Sequence, residues 1–582
     1  MRKKILIAAT TILLATGCTQ QVTSSSPLSS SSTTTTSNDS TSVSAITSED
    51  NGTATIKISQ KHSSASTNRY ISPKDVNIQY TYSDLSGTLS NNENVCPSIG
   101  DVDLLVIPVH LLGGDAYKTD QVKNDIRKAF FSKTDKRSGY CSLTNYYYES
   151  SYHKLNFGGT VTDWFDVTEH TSIDSVDDIT SGSSGTIISK ILRKAVAWAN
   201  QGIDLTKFDK NSDGAIDGIW LVYDHLDWST EFNQRYKADP TYTGSDLNDA
   251  FWNFTYWDWG TKNSAEGEDP TTSAFSWASF DMLYTPYASY DDNGVADISN
   301  LSSIDLDTHT FIHETGHLLG LDDYYASDDS TYHPAGKSTM MDQNIGDLDS
   351  YSKLLLGWVT PFVVYGTSEI LLPTATSSDH AVIVIPSNYQ EISDIIEEQI
   401  DNHAIKNYKY DFNPFSEYLL IDLYSPDGLN EKDAFGPYIY GRDTAMSETG
   451  IRIYYIDSRI FKCTVVNYDG GQKLSYTDGY VWDGDNLSED EAILMPISNQ
   501  KTENSSFQLP AAFDYFDQIR LLEAGRINTF NSNKAATNST LFDTEKSFSI
   551  ADFGYQFFNS NYSYNSGTAL PFIVSVSTLK GI

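Results

Sequence analysis

One eleven-residue stretch restricts this chain more than any other: His313-Glu314-Thr315-Gly316-His317-Leu318-Leu319-Gly320-Leu321-Asp322-Asp323. On a helix, residues four apart lie about 40° apart around the axis and about 6 Å along it, so His313 and His317 can reach one ion only if this segment is helical. Glu314 then borders that ion without ligating it, where a general base belongs. Two imidazoles do not complete a catalytic zinc site; a third protein ligand is needed, with the fourth position left for water. No Glu occurs from Thr315 to Ser368, so a glutamate on a following helix cannot serve. Gly320 instead allows a tight turn that carries the chain back under the metal. Three residues further on, Asp323 supplies a hard oxygen ligand, with Asp322 the near rival and His333 a distant one. The fold must therefore provide a helix, a sharp stop and a return.

Neighbouring residues fit around this segment. His309, a turn upstream, reads as structural. Within Ser338-Thr339-Met340-Met341-Asp342, Met341 suits a hydrophobic floor under the metal. A second oxygen-rich segment, Asp209-Lys210-Asn211-Ser212-Asp213-Gly214-Ala215-Ile216-Asp217, carries side-chain oxygens at calcium-loop positions 1, 3, 5 and 9, with glycine sixth and a backbone carbonyl expected from Ala215 at position 7. The twelfth position is Trp220 rather than Glu. This is therefore not an EF-hand but a loop for a structural calcium ion, pinning a helix to a sheet. The looser cluster of Asp483, Asp485, Glu489, Asp490 and Glu491 reads as a solvated loop.

The N-terminus has a basic start (Arg2, Lys3, Lys4), an apolar run over residues 5–15 and small residues before Cys18, the pattern of a secretory signal over 1–17. Leu14-Ala15-Thr16-Gly17-Cys18 resembles a lipobox, which implies that Cys18 is lipidated and holds the protein at the membrane. Residues 18–51 are almost all Ser and Thr and cannot bury enough apolar surface to order themselves, so they form a tether. The chain carries a net charge of −38; so acidic a surface repels phosphate backbones, and nucleic-acid partners are excluded. Four cysteines are too few for a disulfide scaffold. A Cys96–Cys141 bridge and free thiols are equally compatible with the sequence.

At 582 residues, 39% of them hydrophobic, two or three domains are expected. Residues 52–95 read as an N-terminal extension or pro-segment. The near-continuous apolar run 102–111 predicts a strand covered on both faces, the spacing over 186–200 predicts an amphipathic helix packing on its sheet, and 219–224 predicts a second strand. Residues 96–365 thus form an α+β domain. From 366 to 582, short β-rich runs separated by Asp, Asn, Gly and Pro turns predict an all-β sandwich or jelly-roll. Phe275–Leu283, just before the metal helix, is placed as an edge strand on which a peptide could dock, and Trp257, Trp259 and Trp277 as cleft or core residues.

With these motifs assembled, the chain resembles the immune inhibitor A-like metallopeptidases, particularly their bacterial lipoprotein members. The matching stretches are SLTNYYYESSYHKLNFGGTVTDWFDV (142–167), FDKNSDGAIDGIWLVY (208–223), DTHTFIHETGHLLGLDDYY (307–325), MMDQNIGDLDSYSKLLLGWVTP (340–361), EYLLIDLYSPDGLNEKD (417–433) and GIRIYYIDSRI (450–460). The first four are specific in order and spacing. The resemblance implies an exported zinc endopeptidase on a metzincin-like fold, with His313, His317 and Asp323 as ligands and Glu314 as base. It also implies the calcium assignment for Asp209, Asn211, Asp213, Ala215 and Asp217. His153 departs from the pattern, which has glycine there. Expected partners are a protein or peptide substrate and, through Cys18, the outer face of a bacterial cell membrane. The oxyanion would fall to zinc and a tyrosine among Tyr324, Tyr325 and Tyr351. The competing expectation is a surface adhesin or glycan-binding lipoprotein on an inactive protease scaffold, but a pure binding module has no need of Glu314.

Overall fold

The computed structural model describes residues 52–60, 96–133, 139–173, 178–179, 184–244, 251–258, 270–292, 295–325, 332–364, 366–385, 417–436, 443–457, 460–468, 471–475, 492–496, 499, 517–525, 529–549 and 572–580. The chain is α+β, with several sheets and helices. The signal, the lipobox cysteine, the Ser/Thr tether up to residue 51, residues 61–95 and the acidic cluster at 483–491 lie outside the described residues.

The first sheet grows from the apolar run that begins at residue 102. Strand β2 (Gly100–His110) is flanked by β3 (Leu155–Val161) and by β4 (Ile219–Tyr223), all parallel, and β4 is followed by parallel β6 (Ala274–Ser279). An antiparallel edge strand, β5 (Phe254–Trp257), closes that side. Both faces are covered, which is why β2 reads as a continuous hydrophobic run rather than an alternating one. Leu105, Ile107 and Val109 enter one core with α3 (Ser184–Ala199), whose Ile188, Ile191, Leu192 and Ala195 face them. Leu104 and Val106 point the other way, into a core shared with α1 (Asp120–Phe131), α2 (Leu143–Ser150) and α5 (His309–Leu318). Helix α4 (Trp228–Ala238) follows β4.

Two expectations change here. The segment 275–283 is not an edge: Ala274–Ser279 is hydrogen-bonded on both sides, to β4 and β5, and Phe280–Leu283 is a 3-10 turn. Among the described residues the edge on that side is Phe254–Trp257, whose short polar-flanked run gave little strand signal. The Cys96–Cys141 bridge is also absent, and both thiols are free. Cys96 N–H donates to the Leu318 carbonyl at the C-terminal end of α5, whereas the Cys141 carbonyl accepts from Thr308 at its N-terminal end. A ten-residue helix rises about 15 Å, far beyond the roughly 7 Å that a disulfide spans between Cα atoms.

The second half extends the same core. Strand β7 (Thr360–Val364) pairs parallel with β9 (His380–Val384), and β10 (Glu417–Tyr424), β11 (Gly450–Asp457) and β12 (Ile519–Leu521) follow antiparallel. Side chains alternate between two cores: Ile383, Leu420, Tyr454 and Ile456 join the one beneath α5, while Val382, Val384, Leu419, Ile421 and Ile453 face a second sheet. That sheet contains β8 (Ser368–Pro373), β1 (Thr53–Gln60), β14 (Phe572–Lys580) and β13 (Ser547–Ser549), in that order. Its Ala54, Ile56, Ile370, Leu372, Val574 and Val576 point inward, and Leu371 on the opposite face is 64% exposed, as expected of an antiparallel sheet wet on one side. Residues 53–60, read with the N-terminal extension, are therefore an interior strand of this sheet. The boundary read at 365/366 falls between two strands that feed neighbouring layers.

Buried side chains of both halves share the core beneath α5, so the two halves pack directly on each other. The full chain is expected to unfold in a single calorimetric transition. Leu420→Ala, which empties the core beneath α5, should lower it by about 2–5 kcal/mol. Two separated transitions would contradict the shared core.

Candidate metal centre

Every residue of α5 except Thr310 is buried, so each polar side chain on it must be accounted for. The C-terminal end is shaped by Gly320, at φ +94°, a conformation that side chains with a Cβ rarely adopt. Gly320 N–H donates to the His317 carbonyl and Leu321 N–H to the Gly316 carbonyl, which ends the helix and turns the chain back as the sequence requires. The return brings Asp323 Oδ1 to 3.0 Å from His313 Nε2 and 3.5 Å from His317 Nε2.

The tautomers of both imidazoles are fixed from behind. His313 Nδ1 lies 2.8 Å from the Met340 carbonyl and His317 Nδ1 2.8 Å from the Leu321 carbonyl; a carbonyl only accepts, so each Nδ1 carries the proton. That leaves two Nε2 lone pairs aimed at a carboxylate. His313 Nε2, His317 Nε2 and both oxygens of Asp323 are buried without a hydrogen-bond partner. Three electron-rich groups converging in a dry site call for positive charge. Burial alone would lower the His317 pKa, but the facing Asp323 carboxylate outweighs it and pushes the imidazole up to about 10. Against the opposing effect of burial, the two imidazoles hold the Asp323 carboxyl well below the usual range. A proton meets this demand partially; a divalent ion bound by all three meets it fully. Among the described residues, His313, His317 and Asp323 are the group whose ligand atoms lie within 4.8 Å of one another.

The rivals are engaged elsewhere. Asp322 Oδ1 accepts from the Asp323 N–H at 2.9 Å, capping the turn, and His333 Nδ1 is 2.8 Å from Asp342 Oδ1. His309 is structural, with Nδ1 2.9 Å from Asp307, Nε2 3.2 Å from Asp433 and its ring stacked on Tyr140; it ties the start of α5 to the second half of the chain. Met341 lies directly against the helix, where a Cβ placed on Gly316 would meet its sulfur at 2.5 Å.

Glu314 is buried on the flank of the helix facing the first sheet, and burial pushes its carboxyl up from the ordinary glutamate range, against the pull of His317 and His313. Thr255 Oγ1, on the edge strand, sits 2.8 Å from Glu314 Oε2 and 2.9 Å from the Glu314 carbonyl, and 2.8 Å from Ser276 Oγ. Sequence reasoning passed over Thr255, because FWNFTYWD at 251–258 drew attention only through its tryptophans. Trp220 Nε1 donates to Thr315 Oγ1 at 3.1 Å and Tyr147 OH to the Ile312 carbonyl at 2.6 Å, holding the helix to the sheet and to α2.

Of the three candidate tyrosines, Tyr324 OH is 2.9 Å from Ser352 Oγ and Tyr351 is buried with Gln518 as hydrogen-bond partner. The Tyr325 ring lies 6.1 Å from that of His333. Trp277 is core, stacked on Tyr223 on the sheet face turned away from α5. Trp259 lies outside the described residues, as does the side chain of Trp257. His153 has φ +65°, the region that favours glycine, and stacks on Tyr148, which accounts for glycine being expected there.

In the 209–217 loop, the side chains turn onto their own backbone. Asp209 accepts from the N–H groups of Asp213 and Gly214, Asp213 from Ala215, and Asp217 from Lys210. Gly214 takes φ +87°, and the loop is bridged to Thr271 before it enters β4. Asp209, Asp213 and Asp217 do not converge as the histidine–aspartate group does. Their charges still act on one another: burial pushes the Asp217 carboxyl up to about 7, with Asp213 and Asp209 adding to it against the Lys210 N–H.

No protein-family model matches the chain, and no curated protein matches it. Among the described residues no helix is long and apolar enough to cross a membrane.

Two measurements follow. Metal analysis after equilibration with zinc and desalting should find one tightly held ion, lost in His317→Ala and in Asp323→Ala; retention by both variants would remove this group as the metal centre. For Asp217, the folded pKa lies above the unfolded value of about 3.9. The cost of its ionised form is therefore present at pH 8, falls as pH drops through 7, and vanishes below about 4. With chelator present, the urea midpoint of the wild type relative to Asp217→Asn should rise from pH 8 to pH 5, and an unchanged difference would refute the assignment.

Proposed function

We propose that this chain is a zinc-dependent endopeptidase, a metzincin-like α+β unit backed by a β-sandwich, acting on extracellular proteins from the outer face of a bacterial cell membrane. The single observation that carries the reading is the meeting of two tautomer-fixed Nε2 lone pairs and the Asp323 carboxylate in a buried site with a glutamate beside it. Three protein ligands of this chemistry suit Zn²⁺ and leave a fourth position open. When bound, the ion lowers the pKa of water and polarises the scissile carbonyl.

The chain's own residues then have separable tasks. His313, His317 and Asp323 hold the ion, with the Met340 and Leu321 carbonyls fixing the two rings. Glu314, made more basic by burial, takes the proton from the attacking water and delivers it to the leaving amine nitrogen. Among the described residues Phe254–Trp257 is an edge strand of its sheet, and its backbone groups could take an extended peptide as an added strand. Calcium in the 209–217 loop would neutralise Asp209, Asp213 and Asp217 and steady the entry into β4, whose Trp220 grips α5.

The test is casein cleavage by the full mature chain. Glu314→Ala should lose at least about 10²-fold in kcat while keeping its metal, the scale of a missing general base, and chelation should abolish activity until zinc is restored. Equal cleavage by wild type and Glu314→Ala would sink the mechanism and favour the binding-scaffold reading.

A further inference from the structure

We propose that Thr255 is a positioning residue for Glu314, holding one carboxylate oxygen so that the other faces the reacting water. The inference rests on the endopeptidase reading and deepens it. Thr255 stands directly opposite Ser276 in the antiparallel pairing of β5 with β6, so two hydroxyls from adjacent strands face the same helix. Thr255 Oγ1 lies 2.8 Å from Ser276 Oγ, 2.8 Å from Glu314 Oε2 and 2.9 Å from the Glu314 carbonyl; Ser276 Oγ lies 3.4 Å from that carbonyl. Thr255 and Ser276 are 6% and 0% exposed, so water does not compete for these contacts.

Each hydroxyl has a single proton to donate. If Ser276 donates to Thr255 Oγ1, the Thr255 proton is directed at Glu314, and an ionised carboxylate is the stronger acceptor of the two on offer. Glu314 Oε2 is then pinned and its side-chain torsions restricted. Threonine also suits the location, because its branched Cβ is stiff about χ1 and belongs in a strand. The hydroxyl transfers no proton itself: Glu314 receives it from water on the free oxygen and returns it to the amine, while Thr255 keeps its own throughout. Among the described residues the strand carrying this contact is also an edge of the sheet, so one element would both receive substrate backbone and set the base.

Displacing a reacting group by about 1 Å can cost about 10²-fold. In the full mature chain, Thr255→Val, nearly isosteric but without the donor, is expected to lower kcat for a fluorogenic peptide between tenfold and a hundredfold. KM, zinc stoichiometry and melting temperature should stay at wild-type values. Thr255→Ser should recover most of kcat. Wild-type kcat in Thr255→Val, or an equal loss in Thr255→Ser, overturns the assignment, as does a loss of zinc or of folded protein in proportion to the loss of activity. Glu314→Ala run alongside separates the two levels: if it retains activity the endopeptidase reading fails, whereas if it is inactive and Thr255→Val is not, only the positioning role fails.

Discussion

The local architecture depends on an unpaid electrostatic debt at the end of one helix. Two imidazoles, each with its proton committed to a carbonyl behind it, present lone pairs to a carboxylate within 3.5 Å. Without positive charge at their meeting point this arrangement is repulsive and dehydrated. The surroundings act to keep the ligands from relaxing: Gly320 fixes the return, Asp322 caps it, and Met341 closes the floor beneath Gly316.

That rigidity is drawn from both halves of the molecule. Trp220 and Tyr147 hold α5 from the first sheet and from α2, and Asp433, from the second half of the chain, holds the start of the helix through His309. The apolar side chains continue this arrangement, since Phe311, Ile312 and Leu318 share one core with Leu104 on one side and with Leu420 on the other. The β-rich half is thus part of the support for the centre. A disturbance of its inner sheet reaches the metal ligands through side chains in direct contact.

Much of this was legible in the sequence, for reasons that differ between elements. The metal segment is local: histidine spacing, a glycine stop and an acid at the return specify each other within eleven residues, so His313, His317 and Asp323 could be named before their geometry was known. The run at 102–111 declared a strand buried on both faces because no polar residue interrupts it between Asp103 and His110. Long-range relations were not encoded in this way. That Phe254–Trp257 is the edge and Ala274–Ser279 interior depends on which strand pairs with which, and both segments are aromatic and short. Thr255 escaped notice because a threonine beside tryptophans carries no mark of its partner 59 residues on. The possible Cys96–Cys141 bridge failed for a similar reason: closeness in sequence to the same domain says nothing about lying at opposite ends of one helix.

One pairing sets the order in which the molecule can be completed. Thr55 and Ser577, 522 positions apart, belong to neighbouring strands, and the strand at 53–60 lies between β8 and β14. As the polypeptide emerges from the ribosome, the earliest of these strands can meet β8 first but must remain without β14 until residues 572–580 have been made. Only then does the outer layer close over the inner one, so the clasp is a late event and the two ends of the described chain are brought to the same side of the particle.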